Sequence, residues 1–260
     1  HASRITHHAS LVNVFTIPDS SALPYNPRAL AESLFSERAR RGAVPILERN
    51  TLFGEMQAQP SLLMLEEASP ASSIQHPASS LTEQHIIDLL ECFALGKTLG
   101  SLIRIPAEVK AALPAIAELL AEKRARGNTY EQVAARLIAP FVQAAEMLAR
   151  QYDCVIANPP YMGGKGMNAM LKEFAKRQFP DSKSDLFAMF IERNFELTKR
   201  DGLLGFMTPF VWMFLSSYEK LRTRITSEKT ILSLVRPEYH AFFESAYVPI
   251  CTFVLANDHR

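Results

Sequence analysis

The sequence predicts an α/β fold with a largely parallel sheet and a helical insertion, and three observations predict it. β-forming runs alternate with helical patterns from residue 152 onward, as crossover units require. A lone β-forming run near the start is separated from them by about a hundred residues of helical pattern. Hydrophobic residues make up 48% of the 260 residues, enough to bury a core in one large or two modest domains.

Leu11 to Ile17 (LVNVFTI) is β-branched and aromatic and stops at Pro18-Asp19-Ser20, which reads as a strand ending in a turn. Residues 1–26 are expected to form this strand and turn. Residues 27–150 are expected to be mainly helical, beginning with short helices broken by Gly42 and Pro45. The Ser-, Ala- and Pro-rich stretch 67–82 should be a surface linker. Amphipathic helices are expected over Glu83–Leu95, Ala107–Arg126, entered through Pro106, and Thr129–Arg150.

In 151–260 the expected order is a strand at Tyr152–Ala157, a helix at Ser184–Arg200, a strand at Leu203–Thr208, a helix near Ser216–Ser227, and strands at Ile231–Val235 and Pro249–Ala256. Only about a dozen residues join the last two strands, too few for a covering helix and its turns, so that pair should be antiparallel.

The formal charge of +1 argues against a domain built only to coat a polyanion, so nucleic-acid contact must be local. Cys92, Cys154 and Cys251 lie far apart, which gives neither a paired-ligand zinc spacing nor a disulfide framework; a reducing cytoplasm is expected, and no metal. His1, His7 and His8 have no acidic or cysteine companions and read as exposed histidines. No apolar run reaches the ~20 residues that span a bilayer, so no membrane partner is expected. The opening His-Ala-Ser-Arg is not an initiation, and truncation or processing is expected.

Chemistry concentrates at Asn158-Pro159-Pro160-Tyr161, after the strand. The lone pair of an exocyclic amine is delocalised into its ring, so a group transfer to that nitrogen needs the lone pair localised. Two acceptors at one strand end can do this: the side-chain oxygen of Asn158 and the carbonyl of Pro159 would each take one amine hydrogen, favouring a tetrahedral, positively charged nitrogen. Each proline holds its predecessor extended and has no N–H to compete for a neighbouring carbonyl. Tyr161 would stack on a base extruded from its duplex. A rigid turn or a proline-rich ligand would share the four residues; their position at a strand end, where open α/β sheets bind ligands, favours chemistry.

The segments Tyr152–Asn168 (YDCVIANPPYMGGKGMN), Phe179–Arg193 (FPDSKSDLFAMFIER) and Asp201–Arg222 (DGLLGFMTPFVWMFLSSYEKLR) resemble the Asn-Pro-Pro-Tyr amino-methyltransferases. The match is closest to the PglX-type adenine-specific DNA methyltransferases of bacterial phage-defence (BREX) systems, and is dense over Gly100 to Ala256. The resemblance implies a Rossmann-like methyltransferase sheet, incomplete at its N-terminal strands. It implies S-adenosyl-L-methionine as methyl donor, double-stranded DNA with a flipped adenine as substrate, and a cytoplasmic setting in a phage-defence or restriction-modification system, with other defence subunits as candidate partners.

It carries the amine contacts to Asn158 and Pro159, with Pro160 in the same motif, and base stacking to Tyr161. A second stacking aromatic falls on Phe243, with Phe242 beside it; a plain hairpin core residue would also fit Phe243. Cofactor contacts fall on Asp185, Leu186 and Phe187, which could equally pack a helix on the sheet, and on Asp19, which could equally be a turn aspartate. Lys165, Lys172 and Lys183, with Lys176 and Arg177, form a local basic excess that could meet phosphates or be a solvated face.

The glycine-rich loop and the acidic residue that hold the donor in this family are not recognisable before Asn158, so incomplete donor binding is expected. RNA or a protein glutamine as methyl acceptor, and a non-catalytic fragment that docks on DNA or a partner, are the competing expectations.

Overall fold

The computed structural model describes residues 17–35, 81–238 and 249–258. The chain divides into two compact units, His1–Met147 and Leu148–Arg260. The expected strand at Leu11–Ile17 lies outside the described residues apart from Ile17, and so does the linker expected at 67–82 apart from Leu81 and Thr82.

The first unit is helical. Helix α1 (Pro27–Phe35) packs on α2 (Glu83–Cys92), which packs in turn on α4 (Ala107–Arg126); the short α3 (Gly96–Leu99) lies between, and α5 (Thr129–Ala149) follows. Leu30, Leu34, Ile86 and Leu90 are buried, and Phe93 packs edge-on against Phe141 at 5.7 Å. Gly96 is dictated by a close approach, because a Cβ there would lie 1.9 Å from the Pro18 carbonyl oxygen. At the α4–α5 turn, the Lys123 ammonium donates to Glu131 at 2.6 Å, both side chains being buried, and Glu131 also accepts from the Asn128 N–H at 2.8 Å. The pairing spares each buried charge a partnerless desolvation.

The second unit holds a four-stranded sheet of order β1 (Tyr152–Ala157), β2 (Thr198–Pro209), β4 (Ile250–Ala256), β3 (Thr230–Val235). β1 runs parallel to β2, whereas β4 is antiparallel to both its neighbours. Three strands therefore point one way and β4, inserted between β2 and β3, points back: the α/β class and the antiparallel final pair are as the sequence predicts, but the sheet is mixed and not largely parallel, because the inserted β4 makes two of the three pairings antiparallel. Helix α6 (Ala169–Gln178) precedes α7 (Leu186–Leu197), and α8 (Glu219–Glu228) leads into β3.

Along β2 and β4 inward and outward residues alternate. Leu204, Phe206, Cys251, Phe253 and Leu255 are buried in one cluster with Phe187, Ile191 and Phe195 of α7 and Leu221 and Ile225 of α8. Period-two burial of this kind fits a sheet with one face on a helical layer.

The helix expected at Ser184–Arg200 is shorter, and the strand expected from Leu203 begins at Thr198. The physical reason is a bulge: β1 steps from Tyr152 to Cys154 while its partner on β2 steps from Thr198 to Leu203. Asp201 turns the chain at φ 66°, and Gly202 passes so close to β1 that a Cβ would lie 2.9 Å from the Asp153 carbonyl oxygen.

Candidate functional site

β1 ends at Ala157, and Asn158 is exposed directly beyond it. Pro159 is buried and Pro160 exposed, so the proline pair anchors the loop at one residue. Tyr161 is 39% exposed, and its hydroxyl comes back to the strand ends. It lies 3.2 Å from the Asn158 Oδ1 and 3.3 Å from the carbonyl oxygen of Met207, near the end of β2. The structure thus brings Asn158 and Tyr161 together and adds the Met207 carbonyl, which the sequence does not single out. Burial pushes the Tyr161 phenol above its usual pKa, with a smaller push from Cys251, so it stays a hydrogen-bond donor through neutral pH.

Asp185 is the N-cap of α7, as an aspartate before an apolar helical run leads one to expect. Its Oδ1 accepts from the Phe187 N–H at 3.2 Å and from the Met162 N–H at 2.9 Å. Around it the Leu186 N–H donates to the Met162 carbonyl at 3.1 Å and the Gly164 N–H to the Ser184 carbonyl at 3.1 Å. Asp185 thereby ties the residue after Tyr161 to the start of α7. Phe187, fully buried, meets the Tyr161 ring edge-on at 6.4 Å with an 89° interplanar angle, and the Tyr218 ring packs on it at 5.5 Å. Leu186 is buried as well. The side chains of Leu186 and Phe187 are occupied in packing, and of the three α7 residues only Asp185 has a part-exposed side chain.

Burial raises the Asp185 carboxyl above its usual pKa against the pull of its backbone N–H donors. A carboxyl raised on folding contributes stability that is complete below its unfolded pKa and is lost as pH rises through the folded value. Asp185→Asn keeps an oxygen for both N–H donors and has no charge to bury. Its melting temperature relative to the parent is therefore expected to rise between pH 4 and pH 7, whereas Asp185→Ala, lacking the cap, is expected to lose about 1–2 kcal/mol at pH 4 and less at pH 7, where the parent itself is weakened, by thermal denaturation.

Asp19 lies in the first unit. Its Oδ1 accepts from the Ser21 N–H at 3.0 Å and the Ser21 hydroxyl at 2.5 Å, and its Oδ2 from the Lys97 N–H at 3.2 Å. Burial pushes its carboxyl up, but those hydrogen bonds and the Lys97 charge outweigh this and hold it below the usual range. Lys165, Lys172 and Lys183 are exposed, on the loop after Tyr161, on α6 and before α7. Phe243 and Phe242 lie outside the described residues. Among the described residues no three His, Cys, Asp or Glu side chains gather as a metal site would need, and no helix is long and apolar enough to cross a membrane.

The family model described as Eco57I restriction-modification methylase matches residues 107–243, just over half of the chain. The adenine-specific methyltransferase BrxX of Escherichia coli O9:H4 (strain HS) is 47% identical over 172 residues, covering 65% of this chain and 14% of that protein. The adenine-specific methyltransferase PglX of Lacticaseibacillus casei (strain Zhang) is 37% identical over 153 residues, covering 57% of this chain and 13% of that protein. The chain thus spans about a seventh of the length of these curated relatives. A solved Listeria monocytogenes structure, described as a candidate class I S-adenosylmethionine-dependent methyltransferase, aligns over 67% of this chain and 68% of its own at a TM-score of 0.35 and 15% identity.

Proposed function

Because this chain belongs to the Eco57I restriction-modification methylase family, we propose that it carries the amine-binding side of a DNA adenine-N6 methyltransferase of a bacterial phage-defence or restriction-modification system. The observation that carries the reading is the exposed Asn158 beyond β1, followed by the buried Pro159 and backed by the Tyr161 ring. An adenine turned out of its duplex would lie on Tyr161 and give its two amine hydrogens to the Asn158 oxygen and the Pro159 carbonyl. Held by two acceptors, the nitrogen gains tetrahedral character and its lone pair is released from the ring. Asn158 and a prolyl carbonyl are too weakly basic to keep the proton that the methylated nitrogen sheds, so it leaves to solvent.

S-adenosyl-L-methionine is the donor this reading requires; bound, it would supply an electrophilic methyl group on a sulfonium. The backbone of the loop after Tyr161 and the start of α7 do not fit its amino-acid end at three positions. The Gly164 and Gly166 N–H groups are spent on the Ser184 and Gly163 carbonyls, and that of Phe187 on Asp185, which leaves none of these three to cradle a carboxylate. The role of Asp185, Leu186 and Phe187 is read accordingly as support of the Tyr161 loop.

Lys165, Lys172 and Lys183 are proposed to meet phosphates beside the flipped base. Each Lys→Ala change is expected to weaken binding to duplexes of any sequence and to lower the slope of log K against log salt by about 1, read in a salt titration. The reading as a whole is tested by offering the protein S-adenosyl-L-methionine labelled in its methyl group together with duplex DNA, RNA or protein. Label in N6-methyladenine of DNA is expected; label confined to RNA or to glutamine would move the function to that acceptor, and DNA binding without turnover would favour a docking role.

A further inference from the structure

β1, β2 and β3 run in one direction, so the residues after Ala157, Pro209 and Val235 leave the sheet at one edge. Asn158 and Tyr161 follow the first of these ends. The 3-10 turn Phe210–Met213, with Phe214 and Leu215 after it, follows the second, and Arg236 follows the third. Met207, whose carbonyl lies 3.3 Å from the Tyr161 hydroxyl, is three residues before Phe210, about 10 Å of extended chain or three base steps.

The second loop displays apolar side chains to solvent. Phe214 is 64% exposed and Leu215 51%. A lone exposed phenylalanine or leucine calls for no explanation, but these two are adjacent and their backbone is tied. Trp212 is buried and packs against Phe253 at 5.0 Å. The N–H groups of Phe214 and Leu215 donate to the Val211 carbonyl at 3.1 and 3.0 Å, and the Arg222 guanidinium donates to the carbonyls of Trp212 at 2.8 Å and Leu215 at 2.5 Å. The backbone that presents the two side chains is therefore held in place.

The neighbours of this tip suit a nucleotide. Phe214 meets the Phe210 ring edge-on at 5.4 Å, and the guanidinium of the exposed Arg236 lies over that ring, 4.6 Å from its centre. Aromatic faces beside a cation match a ligand with a stacking base and an anionic phosphate. Phe214 and Leu215 alone fall far short of the ~800 Å² that each partner buries in a specific protein interface. Turning an adenine out of a duplex leaves the neighbouring bases unstacked, and Phe or Leu side chains can enter such a step.

We propose that Phe214 and Leu215 form a wedge that covers the base stack beside the flipped adenine and so holds the duplex open. The proposal rests on the adenine-N6 reading above and extends it to the step before methyl transfer. A wedge raises the share of bound DNA whose adenine is turned out; where the adenine is already unpaired, that share is high without it.

The test compares two duplexes at saturating concentration, with the full-length protein carrying Phe214→Ala and Leu215→Ala together. With the target adenine paired to thymine, kcat is expected to fall about tenfold, the worth of a lost stacking contact. With the adenine opposite an abasic position, kcat is expected to change less than about twofold. An equal fall on both duplexes, or no fall on the paired one, would overturn the proposal.

A second measurement needs no turnover. Phe214→benzoylphenylalanine, irradiated in the complex with paired duplex, is expected to cross-link to a nucleotide flanking the target adenine; cross-links to protein alone, or none, would overturn the proposal. Full activity in Asn158→Ala would instead dispose of the adenine-N6 reading itself. Loss of activity in Asn158→Ala, with the Phe214 and Leu215 double variant unimpaired on paired duplex, would dispose of the wedge alone.

Discussion

Replacing Asn158 by alanine is expected to lower methyl transfer to adenine by about 10²- to 10³-fold, the range found when one preorganised group facing transition-state charge is removed. The reason is differential: the planar amine of the ground state needs little from Asn158, whereas the tetrahedral, positively charged nitrogen needs a fixed acceptor on each hydrogen. The loss should therefore fall on kcat. Affinity for duplex DNA should change little, because the Tyr161 ring and the exposed Lys165, Lys172 and Lys183 remain. Steady-state kinetics with a parallel binding titration separates the two. A mutant that binds DNA ten times more weakly but turns over normally would show that Asn158 holds the substrate and takes no part in the chemistry.

Phe187→Ala is expected to cost roughly 3–5 kcal/mol of stability, the usual penalty for emptying a fully buried aromatic site. Phe187 is 1% exposed and contacts the rings of both Tyr161 and Tyr218. Burial, with some repulsion from Asp185, has already pushed the Tyr218 phenol up to about 12, which marks how dry this layer is. The cavity would open beside the Tyr161 ring, so activity loss in the alanine variant is uninformative alone. Phe187→Leu settles the matter: it keeps most of the volume and should cost less than about 1.5 kcal/mol. If Phe187 supports Tyr161, the leucine variant loses affinity for duplexes carrying an unpaired adenine while donor affinity holds. If it contacts the donor, as the family resemblance implies, the order is reversed. Calorimetry with each ligand, alongside thermal melting, distinguishes them.

Legibility from sequence followed the range of the interactions. The helix at Ala107–Arg126 and the strand at Tyr152–Ala157 coincide with their expected bounds, since apolar period and flanking Pro106, Gly127 and Asn158 are all local signals. The early start of β2 was not legible. Gly202 looks like punctuation, whereas it is there because the chain of β2 passes Asp153 too closely for a side chain. Nor could the sequence say that β4 inserts between β2 and β3, because strand order is set by long-range pairing and not by any run of residues.

At the candidate site, Asn158, Pro159 and Tyr161 were legible because one short motif carries them. Met207 was not: it contributes a backbone carbonyl, and a carbonyl leaves no mark on residue identity. Asp185 was visible as a candidate residue, but its tie to Met162, 23 positions away, was not. The aspartate before Leu186-Phe187 is the signal that could have indicated an N-cap.

The acceptor pair itself is tested most directly by a structure of the protein with a duplex whose target adenine is flipped. The expected result places N6 within about 2.7–3.2 Å of both the Asn158 Oδ1 and the Pro159 carbonyl oxygen, with the base lying on the Tyr161 ring. An adenine bound with its amine turned to solvent, or held by other acceptors while Asn158 points away, would contradict the account.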